Sequence, residues 1–410
     1  MPEPRLVVYS SLFPSAVQPN AGVFIRERMF RVAQRLPLIV VSPKPWFPGQ
    51  GLIRRLRPHY RPMPGKWEIQ DGITVLFPRF LALPGVLRGL DSLFMALGSY
   101  LTLRRLKREG YNLIDAHFAY PDGHAAVRLG RWLGLPVTVT LRGTEVPHSQ
   151  NATLRPKLQA VLRLADRVIA VSDSLRRLAM ELGMPADKGM VVGNGVDTDK
   201  FQPVDRMTAR ARFGLPTQAK VLVTVGALVE RKGFHRVLAC MPELLQRHPD
   251  LHYLMVGGAS PEGDMQAALR VQALRLGLID RAHFLGPVRP EDLKWPLSAA
   301  DVFVLATRNE GWANVILEAM ASGLPVVATD VGGNREVVAR DDLGRIVPYG
   351  DQSALTRALD EALTRDWDRE AIRAYAREND WSERVERLLA LFGELAEGAE
   401  RRGSPNGVVA

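Results

Sequence analysis

Two glutamates eight residues apart, Glu310 and Glu318, lie in the most informative stretch of the chain, residues 301–329. Residues 301–305 read as an apolar strand and 314–322 as a helix entered near Ala313. Gly323-Leu324-Pro325 then turns the chain into a second strand at 326–329. This frame puts Glu310 on the loop after the strand and Glu318 about one turn into the helix. The first helical N–H groups, at Asn314 and Val315, have no intrahelical acceptor. With the helix dipole they make the place beside Gly311 an anion site. A diphosphate resting there would leave Glu318 to accept hydrogen bonds from a ribose diol and Glu310 from sugar hydroxyls. Outside such a frame, both glutamates would read as solvated residues at a helix boundary.

Other residues fall at strand ends where chemistry is possible. Arg231 and Lys232 follow the strand expected at 220–225. Two adjacent cations can neutralise two phosphates and the charge of a departing nucleotide; the alternative is a solvated basic turn. Gly22 opens a helix after the first strand and would let backbone approach a phosphate or sugar, or it is simply a loop glycine beside a cap. His117 ends the strand at 113–116, where an imidazole can orient a sugar ring through a hydroxyl or be held by a structural partner. Arg142 and Glu145 follow the strand at 137–141. Arg142 could bind a phosphate or carboxylate on an acceptor or pair with Glu145.

Positioning these groups needs a particular architecture. Strands at 6–9, 38–41, 113–116, 137–141, 168–171 and 189–192 are spaced by helical patterns at 24–35, 91–109, 123–133 and 174–182. A second series has strands at 220–225, 251–256, 281–285, 301–305, 326–329 and 344–347, with helices at 234–247, 265–276, 314–322 and 352–363. This is α/β organisation: two doubly wound, Rossmann-like domains in tandem, each with a mainly parallel sheet. The expected division is 1–198 and 199–379, with a helix at about 380–397 returning to the first domain and a flexible tail at 398–410. Such sheets bind ligands at their C-terminal edges, so the expected ligand site lies in a cleft between the domains. No Gly-x-Gly-x-x-Gly follows the first strand, which argues against a nicotinamide enzyme.

With 410 residues, 46% of them hydrophobic and 24% charged, the composition is globular and excludes disordered, collagenous and coiled-coil classes. The single cysteine, Cys240, excludes a disulfide framework and a cysteine-based zinc site. No run of about 20 apolar residues is present; the opening residues do not read as a secretory leader, and the expectation is a protein without one, located in the cytoplasm. Net charge is +10 but uneven: residues 1–200 hold 28 Lys/Arg against 15 Asp/Glu, and the remainder 26 against 29. The first half should therefore meet something anionic. Basic clusters at 54–61 and 104–108 flank apolar residues at 76–84 and leucines at 90–101, a combination suited to peripheral contact with a membrane on its cytoplasmic face. No nucleic-acid-binding motif appears, and no nucleic-acid partner is expected. Oligomeric state is not legible.

The 301–329 segment resembles the Glu-x7-Glu signature of family 4 glycosyltransferases, retaining enzymes of the GT-B fold. Residues 225–233, 254–258, 284–288, 171–174 and 193–197 match further landmarks of that family in order. The resemblance implies that Arg231 and Lys232 bind the donor diphosphate, that Gly22, Gly311, Asn314, Val315 and Glu318 bind the rest of the donor, and that His117 touches the donor sugar. Glu310 joins His117, Arg231 and Lys232 as the implied catalytic set. It further implies a UDP- or GDP-sugar donor, a lipid-linked or saccharide acceptor, polysaccharide biosynthesis of the exopolysaccharide type, and same-face transfer assisted by the leaving diphosphate. No cofactor is required, and metal independence is consistent with the lack of an Asp-x-Asp element. Many relatives have histidine where Arg142 stands and aspartate where Glu145 stands, so these two are the candidate acceptor-binding residues. The alternatives are a nucleotide-sugar 2-epimerase on the same fold, and a non-catalytic membrane- or nucleic-acid-binding protein with a vestigial nucleotide-sugar pocket.

Overall fold

Runs of aliphatic residues without polar alternation are stable as strands only where both faces are covered. Here they build two sheets. In the computed structural model, which describes residues 3–56, 60–83, 88–260 and 262–403, the chain divides into two compact units. One comprises Met1–Asn194 and the chain from Ser382; the other is Gly195–Trp381.

The first unit's sheet runs in the order Gly189–Val191, Arg167–Ala170, Val137–Leu141, Leu113–His117, Leu6–Tyr9, Leu38–Val41, Ile73–Leu76, Trp67–Gln70. Every neighbouring pair is parallel except the last. That last hairpin was not anticipated. It turns at Asp71 and Gly72, both with left-handed backbone (φ 48° and 81°), the geometry that matches the twist of paired strands. A small parallel pair, Lys44–Trp46 with Arg79–Leu81, lies outside the main sheet. Against it packs the helix Asp91–Arg108, whose Gly98 has no room for a Cβ: one would come within 2.5 Å of the Arg79 carbonyl oxygen. Register aligns the strand ends, with Tyr9 opposite Ala116 and His117 opposite Thr140.

The second unit's sheet is wholly parallel, in the order Ala282–Gly286, Leu251–Val256, Lys220–Val225, Val302–Leu305, Val326–Thr329, Gly344–Val347. Its two faces are packed separately. Val223, Leu254 and Phe303 meet Ile316, Leu317 and Met320 of the helix Asn314–Ala321 on one side. Leu222, Tyr253 and Val304 meet Val237, Leu238 and Met241 of the helix Phe234–Leu244 on the other.

Two expected boundaries shift. The junction placed at 198/199 falls at Asn194–Gly195, because the aperiodic segment that follows belongs to the second core. Val196 and Phe201 are both buried there, and Val196 bridges to Asp380. The closing helix spans Ser382–Gly403 rather than ending near 397; 404–410 of the expected tail lie outside the described residues. This helix belongs to the first unit. It buries Val385, Leu388, Leu391, Phe392 and Leu395, and Arg387 donates to the Val191 carbonyl at 2.7 Å.

Candidate functional site

In the second unit the C-terminal strand ends carry the expected cluster. After Lys220–Val225 the chain makes one short turn, Glu230–Lys232, and enters the helix Phe234–Leu244 through Gly233 at φ 77°. A Cβ on Gly233 would come within 2.0 Å of the Ala306 carbonyl oxygen. The Arg231-Lys232 turn is therefore pressed onto the loop that follows Val302–Leu305, and the Arg308 amide donates to the Arg231 carbonyl at 2.8 Å. Glu310 sits in the same loop, with its side chain 10% exposed.

The three side chains meet. Lys232 Nζ donates to Glu310 Oε1, and Arg231 Nη1 lies 3.4 Å from the same oxygen. Arg231 Nε and Nη2 bind both oxygens of Glu262 at 2.9 and 2.8 Å, and its Nη1 donates to the Asn309 carbonyl. The Glu262 pairing raises the Arg231 pKa and lowers that of Glu262. Each cation thus has a carboxylate as its present counter-ion. Glu310, the residue expected to meet sugar hydroxyls, is paired in this structure with both cations, and Arg231 is shared between Glu310 and Glu262. Sequence reasoning missed Glu262, whose partner is 31 positions away.

The loop bearing Glu310 is anchored from behind. Thr307, fully buried, lies 3.2 Å from Glu310 Oε1. Thr329 donates to the Thr307 carbonyl at 2.6 Å, and Asn334 to the Thr329 carbonyl at 3.0 Å. Gly332 (φ 55°) has no room for a side chain, since a Cβ would lie 1.7 Å from the Glu310 carbonyl oxygen. The adjacent Gly333 amide donates to Gly311. Asn314 and Val315 begin the helix, as the spacing predicts, with Ala313 at the cap position and no side-chain cap. Its amino end carries the positive end of the helix dipole. Glu318 is half-buried within the first turns of this helix.

In the first unit, Gly22, His117, Arg142 and Glu145 are brought to one sheet edge. Gly22 (φ 69°) caps the helix Val23–Ala33, and a Cβ would come within 2.4 Å of the Leu12 carbonyl oxygen. Its glycine is thus required by the loop's own packing. Arg142 lies over the Phe24 ring at 5.0 Å, and Phe24 meets Phe118 edge-on. Phe118 has φ 71° and ψ 140°, a backbone region nearly reserved for glycine; such strain persists only where the surroundings impose it. Two hydrogen bonds do so: Phe118 N to Thr140 O, and Ala119 N to Glu145 Oε1.

Two expectations change here. Glu145 is 1% exposed, and its carboxylate accepts from the amides of Ala119, Arg142 and Gly143. It shapes the loop rather than facing an acceptor. His117 is also fully buried. As the last residue of Leu113–His117 it shares a face with Asp115, and its ring is enclosed in this structure. Arg142 Nε and Nη2 instead donate to His117 Nδ1 at 3.2 and 3.0 Å. Burial lowers the His117 pKa to about 4, against a smaller opposing effect of Asp115. The ring is neutral near pH 7, with Nδ1 as acceptor and the proton on Nε2, 3.4 Å from Asp115 Oδ2. Arg142 makes no side-chain hydrogen bond to Glu145; besides His117 and the Phe24 ring, it donates to Asn194 Oδ1 at 3.3 Å.

Further polar residues at this edge escaped the sequence reading. Buried Arg28 donates to the carbonyls of Val192 and Gly193 and to Asn194 Oδ1. Asp122 binds the amide and hydroxyl of Ser11, and Lys44 donates to the Ser11 carbonyl at 2.9 Å. Burial pushes the Asp122 carboxyl up to about 6 and the Lys44 amine down to about 8. Asp122 stands five residues after His117, and that proximity was the available signal. Among the described residues, no three His, Cys, Asp or Glu side chains group as a metal site, and no helix is long and apolar enough to cross a membrane.

Residues 205–379 match the family described as Glycosyl transferases group 1, and residues 39–200 match Glycosyltransferase Family 4. The chain is 30% identical over 372 residues to TuaC of Bacillus subtilis, named as a teichuronic acid biosynthesis glycosyltransferase, covering 88% of each chain. It is 32% identical over 363 residues to a D-inositol 3-phosphate glycosyltransferase of Corynebacterium urealyticum, covering 82% of this chain and 84% of the relative. Among solved structures, sucrose-phosphate synthase of Thermosynechococcus elongatus superposes with a TM-score of 0.77 at 22% identity, covering 97% of this chain and 100% of that one. HepE of Anabaena, in complex with UDP, superposes with a TM-score of 0.73 at 20% identity, covering 95% and 100%.

Proposed function

The chain belongs to the family 4 glycosyltransferases, of GT-B fold, and from that premise we propose that it is a retaining, metal-independent transferase. It moves a sugar from a nucleotide-diphospho-sugar to an acceptor hydroxyl. The observation that carries this reading is the convergence of Arg231, Lys232 and Glu310 at the strand edge that also carries the helix Asn314–Ala321.

In this reading the donor diphosphate exchanges places with carboxylates. Arg231 and Lys232 leave Glu310 and Glu262 for the phosphates, and the amides around Gly311, Asn314 and Val315 add the helix-terminus contribution. Glu310, released from the cations, turns to the sugar hydroxyls, and Glu318 takes the ribose. The acceptor oxygen attacks the anomeric carbon on the face from which the diphosphate leaves. The C–O bond to phosphate breaks, and the departing phosphate oxygen takes the acceptor's proton. The two cations and the helix dipole stabilise the charge growing on that leaving group, the effect expected to lower the barrier most.

The HepE complexes with UDP and UDP-glucose support a UDP-sugar donor over a GDP-sugar. The acceptor we propose is a lipid-linked or saccharide hydroxyl compound bearing an anionic group near Arg142, with His117, Gly22 and Glu145 holding that edge in shape. Inositol 3-phosphate, in the name of the Corynebacterium relative, is such an anionic compound. The helix Asp91–Arg108 exposes Leu97 and Leu101 beside Arg104, Arg105 and Arg108. This supports peripheral association with the cytoplasmic face of a membrane; residues 57–59 and 84 of the expected basic and apolar clusters lie outside the described residues.

The test is NMR of the full-length protein with UDP- and GDP-sugars, with and without acceptor. Retained anomeric configuration in the product supports the reading. Inversion, or conversion of donor to its 2-epimer with no acceptor present, would overturn it.

A further inference from the structure

The opposite edge of the second sheet carries a cluster that the transferase reading does not use. Lys220 begins the strand whose far end leads to Arg231, and Asp301 immediately precedes the neighbouring parallel strand. The two edges are separated by roughly 16 Å of strand. A cavity of about 220 Å³ opens at this edge, lined by Arg206, Lys220, Arg365, Arg369, Asp301 and Asp366, with Trp367 beside them.

Its charges do not balance. Asp301 accepts from Arg206 and, at 2.9 Å, from buried Arg210, and also from the Val221 amide at 2.8 Å. Arg369 Nη2 lies 3.7 Å from the same carboxylate and donates to the Asp301 carbonyl at 3.3 Å. One carboxylate thus serves three guanidinium groups. Arg365 stacks over Trp367 at 4.3 Å and donates to the Asp341 carbonyl, and Lys220 is exposed at the rim. The remaining acidic group, Asp366, is exposed. Burial, and then the Arg206 charge, lower the Arg369 pKa, as expected of a cation crowded by its own kind.

Four cations around a polar cavity, with two carboxylates opposing them, leave room and charge for an oxyanion with several acceptor oxygens. Arginine forks suit phosphate for that reason. The cavity also adjoins the carboxyl end of the helix whose amino end lies at the candidate donor site. Arg369 opens the helix Arg369–Glu378, and its Cβ lies 3.4 Å from the position of a Cβ on Gly323, which ends the Asn314–Ala321 helix segment.

We propose that this cavity is a second anion site, for a phosphate group carried either by a small soluble molecule or by a lipid headgroup. Occupancy cross-links Arg206, Lys220, Arg365 and Arg369 and stiffens the support of the Asn314–Ala321 helix.

The experiment uses the full chain carrying Lys232→Ala, so that the donor site contributes less to the signal. Pyrophosphate is titrated calorimetrically. In parallel, binding is measured to vesicles of neutral lipid with and without phosphatidic acid. The double variant Lys220→Ala/Arg365→Ala, which leaves the three guanidinium contacts to Asp301 in place, is compared in both arms. We expect it to weaken binding about ten-fold in whichever arm shows binding, with the loss shrinking at high salt. Binding in the pyrophosphate arm identifies a soluble ligand; binding confined to phosphatidic acid vesicles identifies a lipid. Absence of binding in both arms, or binding that the double variant leaves unchanged, overturns the proposal. Circular dichroism of the variant confirms that a loss does not come from misfolding.

Discussion

Replacing Glu262 with glutamine removes the charge that now competes with a donor for Arg231. The pair is bidentate at 2.8 and 2.9 Å, with Arg231 25% and Glu262 53% exposed at the side chain. Exposed ion pairs contribute about 0.2–1 kcal/mol, and the two-pronged geometry places this one near the upper end. A diphosphate that takes Arg231 must first break this contact. Glu262→Gln should therefore tighten nucleotide-diphosphate binding by about five-fold, the equivalent of roughly 1 kcal/mol. The gain should be largest at low ionic strength and shrink as salt screens the pair in the parent protein. Calorimetric titration of UDP into parent and variant at two salt concentrations measures it. Weaker binding by the variant would mean that Glu262 holds the donor instead of competing with it. Unchanged binding at low salt would mean that Arg231 does not meet the phosphates at all. Either result refutes the exchange of counter-ions.

Lys232→Ala should lower the transfer rate by about 10²–10³, the size of losing one charge-stabilising donor, with melting temperature little changed; full turnover would remove the phosphate clamp from the mechanism. Gly233→Ala should destabilise by at least about 2 kcal/mol, from its left-handed φ and a Cβ 2.0 Å from the Ala306 carbonyl oxygen. Gly51→Ala, in the helix Gln50–Leu56 with nothing within 4 Å of the new Cβ, should be neutral or stabilising; denaturant midpoints compare the two. Stability should fall on acidification from pH 7.5 to 5. Burial lowers the pKa of His117, His124 and His252 to about 4 each. Their stabilising preference for the neutral ring is therefore complete above the unfolded value near 6.5 and is lost as pH falls towards 4. Asp122, raised to about 6, acts in the opposite sense but is one group against three. A melting temperature that rises over that range would contradict the burial of these rings.

Local patterns were legible where one segment contains its own reason. The strands Leu6–Tyr9, Val137–Leu141, Lys220–Val225 and Val326–Thr329 lie where their apolar runs placed them, because a short aliphatic run has few other stable fates. The hairpin Trp67–Gln70 with Ile73–Leu76 carried a signal that went unread: Asp-Gly between alternating residues. The segment after Asn194 carried none. Val196 and Phe201 are apolar without periodicity, and only the core that receives them assigns them to the second unit.

The same division runs through the candidate site. The amino-acid order alone determined two α/β units, a C-terminal helix, and a loop that carries Glu310 into a helix start. These follow from spacing, turn chemistry and backbone hydrogen bonding within a few dozen residues. Tertiary structure alone decided that Glu310 neutralises Lys232, that Glu262 grips Arg231, that Glu145 takes the Ala119 amide and that His117 is a buried neutral acceptor for Arg142. Those outcomes depend on which groups lose their water together, and on how many charges then compete for one carboxylate. Both quantities are set by residues 25 to 78 positions apart in the sequence and a few ångströms apart in space.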